Sequence, residues 1–273
     1  MSHTSTSRWQ SFWEKGGWWR AVLLAAVYFV LYNLCSLAFG PLLAGISDPD
    51  GAGFILVAYA LPILVGCVLL VLFGWSVGWL RELFARQPIG GRGWMWIAVA
   101  VVLVFNLLRF ATIDYSSVGL DVVATWLLAG LLIGFAEETL TRGFVIKLLR
   151  RARYRELMVA VISAAVFAGL HAGNLLSGQS VFVTLFQLLY TFAFGICMYL
   201  AYRLTGRLIV PILLHASTDP SIFLLTAHPS EGALTAIAGL GNIVVIVVGL
   251  VSLFFIRGRV EAPEVETALQ RQH

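Results

Sequence analysis

Two adjacent glutamates, Glu137 and Glu138, lie inside a run from Trp126 to Ile146 that otherwise has the composition of a membrane-spanning helix. A carboxylate in hydrocarbon costs at least ~2.5–3.5 kcal/mol, and spanning a bilayer requires neither glutamate, so the pair points to function. Four more polar side chains are expected at membrane depth. Arg142 follows Glu138 by four residues. His171 ends the run Phe167-Ala-Gly-Leu-His171. His215 and Asp219 bracket His215-Ala-Ser-Thr-Asp219.

The spacings are those of helix neighbours. Glu138 and Arg142 stand at i, i+4 and are expected to form an ion pair within one helix. His215 and Asp219 stand at i, i+4 and can converge on one object. Glu137 is rotated by about 100° from Glu138, which leaves it free to face a site while Glu138 serves Arg142. Counted from one end of their spans, Glu137, His215 and His171 are about 10, 8 and 14 residues in, roughly 12–21 Å deep at 1.5 Å per residue. Two imidazoles and carboxylates at similar depth suit a zinc-like divalent ion with Glu137, His171 and His215 as ligands and an open position for water. Such an ion acidifies its water and polarises a carbonyl, and a nearby glutamate can act as general base. Each piece alone has a structural alternative, because a lone histidine or one Glu–Arg pair can simply bond one helix to another. The joint pattern is less easily structural: of five histidines, the two expected at depth are the two in these motifs. Asn174, one turn past His171, reads first as a polar span end.

The elements that must position these groups follow from composition. The chain has 273 residues, 60% hydrophobic and 12% charged, with a mean hydropathy of +0.90. A soluble domain carries about twice that charged fraction. The expected fold is all-α and polytopic, with about eight transmembrane helices over residues 21–45, 54–80, 94–113, 122–146, 157–176, 181–202, 208–227 and 233–256. The third is interrupted by Asn106 and Arg109. The seventh holds Pro211, His215 and Asp219-Pro220 and is expected to be kinked or broken. Six spans with two re-entrant segments is the rival arrangement. All 18 lysines and arginines except Arg109 and Arg142 fall on one side of this scheme. That bias places both termini in the cytoplasm and assigns Arg109 to an opposite-side loop. It also explains the net charge of +4 without a nucleic-acid partner, and it makes the Arg150–Arg155 cluster a topology signal first, with lipid head-group contact second. Cys35, Cys67 and Cys197 are odd in number and sit in apolar runs, as small buried hydrophobes do. Residues 1–20 read as an interfacial tryptophan-rich segment, 21–256 as the bundle and 257–273 as a polar tail.

Glu137-Glu138-Thr-Leu-Thr-Arg142, then Phe167-x-x-x-His171, then His215-x-x-x-Asp219 resembles the three-motif signature of the CPBP intramembrane protease family. That family includes CAAX prenyl endopeptidases of the Rce1 type and bacterial bacteriocin-processing and immunity-type proteins. The resemblance covers about residues 122–220, the expected protease core. It implies peptide-bond hydrolysis with access from the cytoplasmic side. It makes Glu137 the main catalytic carboxylate and His171 its partner or a metal ligand. His215 becomes a metal ligand or oxyanion stabiliser, supported by Asp219. The third motif commonly ends in asparagine, so Asp219 is a departure that adds possible negative charge. Two mechanisms are consistent with the motifs: water activated by Glu137 and His171 without metal, or a zinc-type ion held by the histidines and a carboxylate, and the ligand set favours the second.

The resulting expectation is an endopeptidase in a multi-pass protein of a bacterial inner membrane, acting on a membrane-associated or lipidated peptide. Its partners are that peptide or membrane-protein substrate and the lipid bilayer. A non-catalytic scaffold or immunity protein of the same fold, and an ion-coupled transporter, are the alternatives.

Overall fold

The computed structural model describes residues 7–260. His3, His273 and most of the expected polar tail lie outside the described residues. Eight helices are long and apolar enough to cross a membrane. After a short helix α1 (Arg8–Glu14) they run α2 (Trp18–Leu43), α3 (Ala52–Ser76), α4 (Gly93–Ala111), α5 (Leu120–Arg151), α6 (Glu156–Leu175), α7 (Val181–Thr205), α8 (Ile209–Ala227) and α9 (Ala233–Phe255). No β-strand occurs among the described residues. The chain is an all-α polytopic membrane protein. Apolar side chains such as Leu34, Val68, Leu107, Leu213 and Val247 point outward and are exposed, as a bundle bathed in lipid requires.

Connections gather at two ends. At one end Gly17 donates its amide to Leu148 O (2.8 Å), Gln87 to Gly206 O (2.9 Å) and Glu156 to Gly258 O (2.9 Å), so the basic segments identified in the sequence meet there. At the other, Ile113 bridges Pro229 and Asp114 donates its amide to His228 O (2.9 Å). The N-terminal helix is held by a capping box between Ser7 and Gln10. It is packed on the bundle rather than lying apart from it: Trp13 is buried with its ring edge on Phe73.

Three sequence expectations are corrected here. The seventh span, α8, is unbroken, with Pro220 inside it, so the expected break does not occur. Arg109 is not in a loop. It lies in α4 and is 3% exposed, donating to Asn106 Oδ1 (3.4 Å) and Asn242 Oδ1 (2.8 Å). Asn106 in turn donates to Ser217 Oγ and Thr218 Oγ1, both at 2.9 Å, so the two polar residues that interrupt the third span tie α4 to α8 and α9. Arg150 is likewise more than a topology signal: it is buried and forked onto Glu156 (2.9 and 2.7 Å).

The most extensive helix contact joins α5 and α8, and two glycines explain it. A Cβ on Gly130 would stand 2.5 Å from Ala216 O and 2.4 Å from Pro220 Cγ. One on Gly134 would stand 2.6 Å from Ile212 O and 2.8 Å from Ala216 N. Small residues four apart let two backbones touch where no hydrophobic driving force separates lipid from helix. Glu138 is the next residue in that four-residue stripe, so the same face that admits α8 carries the carboxylate to it.

Candidate active site

Glu138 is fully buried and joins an arginine and a histidine. Its Oε1 accepts from Arg142 NH1 (3.1 Å) and stands 2.8 Å from His215 Nδ1. The expectation that Glu138 serves only Arg142 is therefore incomplete. From Glu138 onward α5 leaves α-helical geometry: Thr139–Val145 is a π-helical segment, a form that concentrates at functional sites. Thr141 O accepts from Ser163 Oγ of α6 (3.0 Å). Arg142, 0% exposed, also donates to Thr141 Oγ1 (2.5 Å) and, through NH2, to Gly195 O of α7 (2.8 Å). Its guanidinium lies 4.7 Å from the centre of the Phe167 ring. A Cβ on Gly195 would come within 2.9 Å of Arg142 NH2, so glycine makes room for the bond. One arginine thus fastens α5, α6 and α7 around the glutamate.

His215 is 2% exposed, and the edges of its ring contacts are Phe167 and Phe194. With a carboxylate on Nδ1, that nitrogen carries the proton and Nε2 is the working end. Nε2 faces Glu137 Oε2 at 3.6 Å and Asp219 Oδ2 at 3.8 Å. Both carboxylates keep partial exposure, 20% and 26% of the side chain, whereas Glu138 has none. The two adjacent glutamates therefore occupy different environments, as their 100° rotation requires.

His171 lies in the last turns of α6 with Nδ1 3.1 Å from Phe167 O. That bond assigns the proton to Nδ1 and leaves Nε2 as an acceptor. A cavity of about 180 Å³ is lined by Glu137 and His171 together with Tyr28, Tyr32, Asn33 and Asn174. Asn174 is therefore part of the site wall, and it donates to Gln187 Oε1 (2.8 Å). Tyr28 and Tyr32, stacked 6.0 Å apart on α2, were not foreseen, because nothing in the spacing of α2 separates a site tyrosine from a packing one. The buried Tyr28 hydroxyl has no hydrogen-bond partner. That orphan donor is a signal only the assembled structure carries. The cavity reaches exposed residues at Asn33 and Ser177, the end of the bundle remote from the basic loops.

Among the described residues, no group of three His, Cys, Asp or Glu side chains is assembled that could hold a metal ion. Of the expected set of Glu137, His171 and His215, His215 Nε2 faces Glu137 Oε2 at 3.6 Å, and His171 shares a cavity with Glu137 with one ring nitrogen committed to its own helix.

Residues 119–220 match the family described as type II CAAX prenyl endopeptidase Rce1-like. The chain carries an Rce1-like domain. The domain spans α5 to Pro220, and so contains Glu137, Glu138, Arg142, His171, His215 and Asp219, while the tyrosines of α2 lie outside it. No curated protein matches the chain, and no solved structure does. The Rce1-like match supports an intramembrane protease of the CAAX kind, and the eight apolar helices make the chain a multi-pass membrane protein.

Proposed function

We propose that the chain is an intramembrane endopeptidase that hydrolyses a peptide bond of a membrane-associated or lipidated peptide or protein. The observation that carries this reading is the convergence of Glu137 and Asp219 on His215 Nε2, 3.6 and 3.8 Å away, with the other ring nitrogen held by a buried carboxylate. Helix packing alone gives no reason to collect three carboxylates about one imidazole in hydrocarbon.

In this reading Glu137 and His171 hold a water in the cavity they share. Glu137 takes a proton as the water oxygen bonds to the substrate carbonyl carbon. His215, protonated at Nε2, donates a hydrogen bond to the resulting oxyanion, and Glu138 supports its positive charge from the far side. Glu137 then passes its proton to the amide nitrogen as the C–N bond breaks, leaving a carboxylic acid and an amine. Arg142 holds Glu138, and Asp219 steadies the imidazolium.

A zinc ion remains a second proposal. Its ligand set would require Glu137 and His171 to close onto His215 Nε2, and the ion would supply a Lewis acid and an acidified water. The bias of basic residues further supports both termini in the cytoplasm, and the small chain with short loops supports a bacterial inner membrane as the location. The test is hydrolysis of lipidated peptides by purified protein beside Glu137→Gln. Wild-type cleavage that Glu137→Gln abolishes supports the reading; cleavage by Glu137→Gln at the wild-type rate overturns it, and absence of cleavage by either favours a scaffold.

A further inference from the structure

The cavity that holds Glu137 and His171 is placed unevenly along the bundle. Its walls come from the later part of α2, with Tyr28, Tyr32 and Asn33, and from the last turns of α6 and just beyond, with Asn174 and Ser177. Asn33 stands fifteen residues into α2 from Trp18, and His171 fifteen residues into α6 from Glu156. At 1.5 Å per residue both are about 22 Å from the end where the basic loops gather. Ser177 lies past α6 altogether, and it and Asn33 are exposed.

Toward the basic end the same helices are packed shut. Ala21 and Leu24 of α2, Leu140 and Phe144 of α5, and Val159 and Ala160 of α6 are all buried, none more than 5% exposed. A close-packed layer of this kind leaves no passage for a peptide. The separate recess at the basic end reaches α5 no deeper than Gly143 and shares no wall residue with the site cavity.

The rim has its own chemistry. Asn33 donates its amide to Phe29 O (2.8 Å) and Asn174 donates to Gln187 Oε1 (2.8 Å), so each keeps its side-chain oxygen as an acceptor. An extended peptide offers backbone N–H groups to such acceptors, and main-chain bonds give affinity whatever the side chains. Apart from the two tyrosines, Glu137 and His171 are the only ionisable groups in the wall, so the rim carries no charge to select a charged peptide.

We infer that the substrate enters from the end of the bundle remote from the basic loops, as an extended, uncharged segment on the extracytoplasmic face of the membrane. The inference rests on the peptidase reading above and on the bias of basic residues that puts those loops in the cytoplasm.

Full-length Cys35→Ser protein, whose remaining Cys67 and Cys197 are buried, would carry one added cysteine at a time. Each variant would meet a membrane-impermeant maleimide in right-side-out and in inverted vesicles. Asn174→Cys and Ser177→Cys should label in right-side-out vesicles and lose that labelling in inverted ones. Arg86→Cys, at an exposed position of the basic end, should do the reverse. A soluble uncharged peptide added outside should be cleaved by right-side-out vesicles, with cleavage lost in inverted ones. Labelling of Asn174→Cys from the Arg86 side, labelling of all three positions from one side, or cleavage by inverted vesicles at an equal or greater rate overturns the inference. If Asn174→Cys folds poorly, Ser177→Cys, beyond the helix at an exposed side chain, gives the same reading. Labelling does not depend on hydrolysis, so the expected labelling with no cleavage in either orientation supports the opening and overturns the peptidase reading instead.

Discussion

Gly134→Ala tests the geometry that assembles the site. The added Cβ would lie 2.6 Å from Ile212 O and 2.8 Å from Ala216 N, where ordinary contact begins at 3.4 Å. Both neighbours are backbone atoms of α8 and cannot rotate away, so the helices must part by about 0.8 Å at that level. Glu138 sits one turn further along α5. Displacement of that size would stretch its contact with His215 Nδ1 from 2.8 Å to beyond hydrogen-bond range. Overpacking of this kind costs about 1–3 kcal/mol, and misplacement of a catalytic group by about 1 Å lowers turnover about 100-fold. Thermal unfolding in detergent and peptide hydrolysis, each beside Gly169→Ala, would measure both effects. A Cβ on Gly169 would meet nothing within 4 Å, so this glycine should tolerate alanine. Gly134→Ala with unchanged turnover and unchanged melting would refute the claim that close backbone contact sets the Glu138–His215 bond.

Four further outcomes are expected. Glu137→Gln keeps the shape of a partly exposed side chain and removes its proton-accepting carboxylate, so hydrolysis should fall at least ~100-fold while melting stays near wild type. Arg142→Ala leaves a fully buried carboxylate at Glu138, which should cost about 3–5 kcal/mol and show as low yield or early unfolding; a stable but inactive variant would instead place Arg142 in the chemistry. Tyr28→Phe removes a buried hydroxyl that has no partner, so stability should hold or rise, and a loss of kcat at constant KM would mark the phenol as a donor to the reacting carbonyl. Elemental analysis of chelator-free protein should find no stoichiometric zinc; one zinc per chain, lost in His171→Ala/His215→Ala, would replace water activation with the metal mechanism.

The candidate site was legible because charge in an apolar run stands out: Glu137, Glu138, Arg142, His171, His215 and Asp219 announce themselves against hydrocarbon. The eight spans were legible for the same reason, as length and hydropathy fix them with little help from packing. What stayed hidden depends on contact between distant segments. Gly130 and Gly134 look like ordinary span glycines until α8 is laid on them. Arg109 reads as a loop residue unless Asn242, far along the chain, is known to receive it. Tyr28 belongs to the site only because α2 folds beside α6. The π-helical segment after Glu138 shifts which side chains share a face, and no simple i, i+4 count anticipates it.

Arg142 has a bearing on how the protein is made. Its bonding partners lie on α5 and α7, and the ring beneath it belongs to α6. When α5 first meets the bilayer during synthesis, Glu137, Glu138 and Arg142 arrive together and the latter two helices do not yet exist. Three ionisable side chains at ~2.5–3.5 kcal/mol each on a translocon scale make α5 a poor span by itself. It should therefore wait at the membrane's insertion machinery until its neighbours emerge, entering hydrocarbon as part of a group. Chains truncated after residue 151 would leave α5 accessible to a glycosylation or cysteine-labelling probe, and chains extended through residue 227 would protect it; full protection of the shorter chain would show that α5 inserts without its partners.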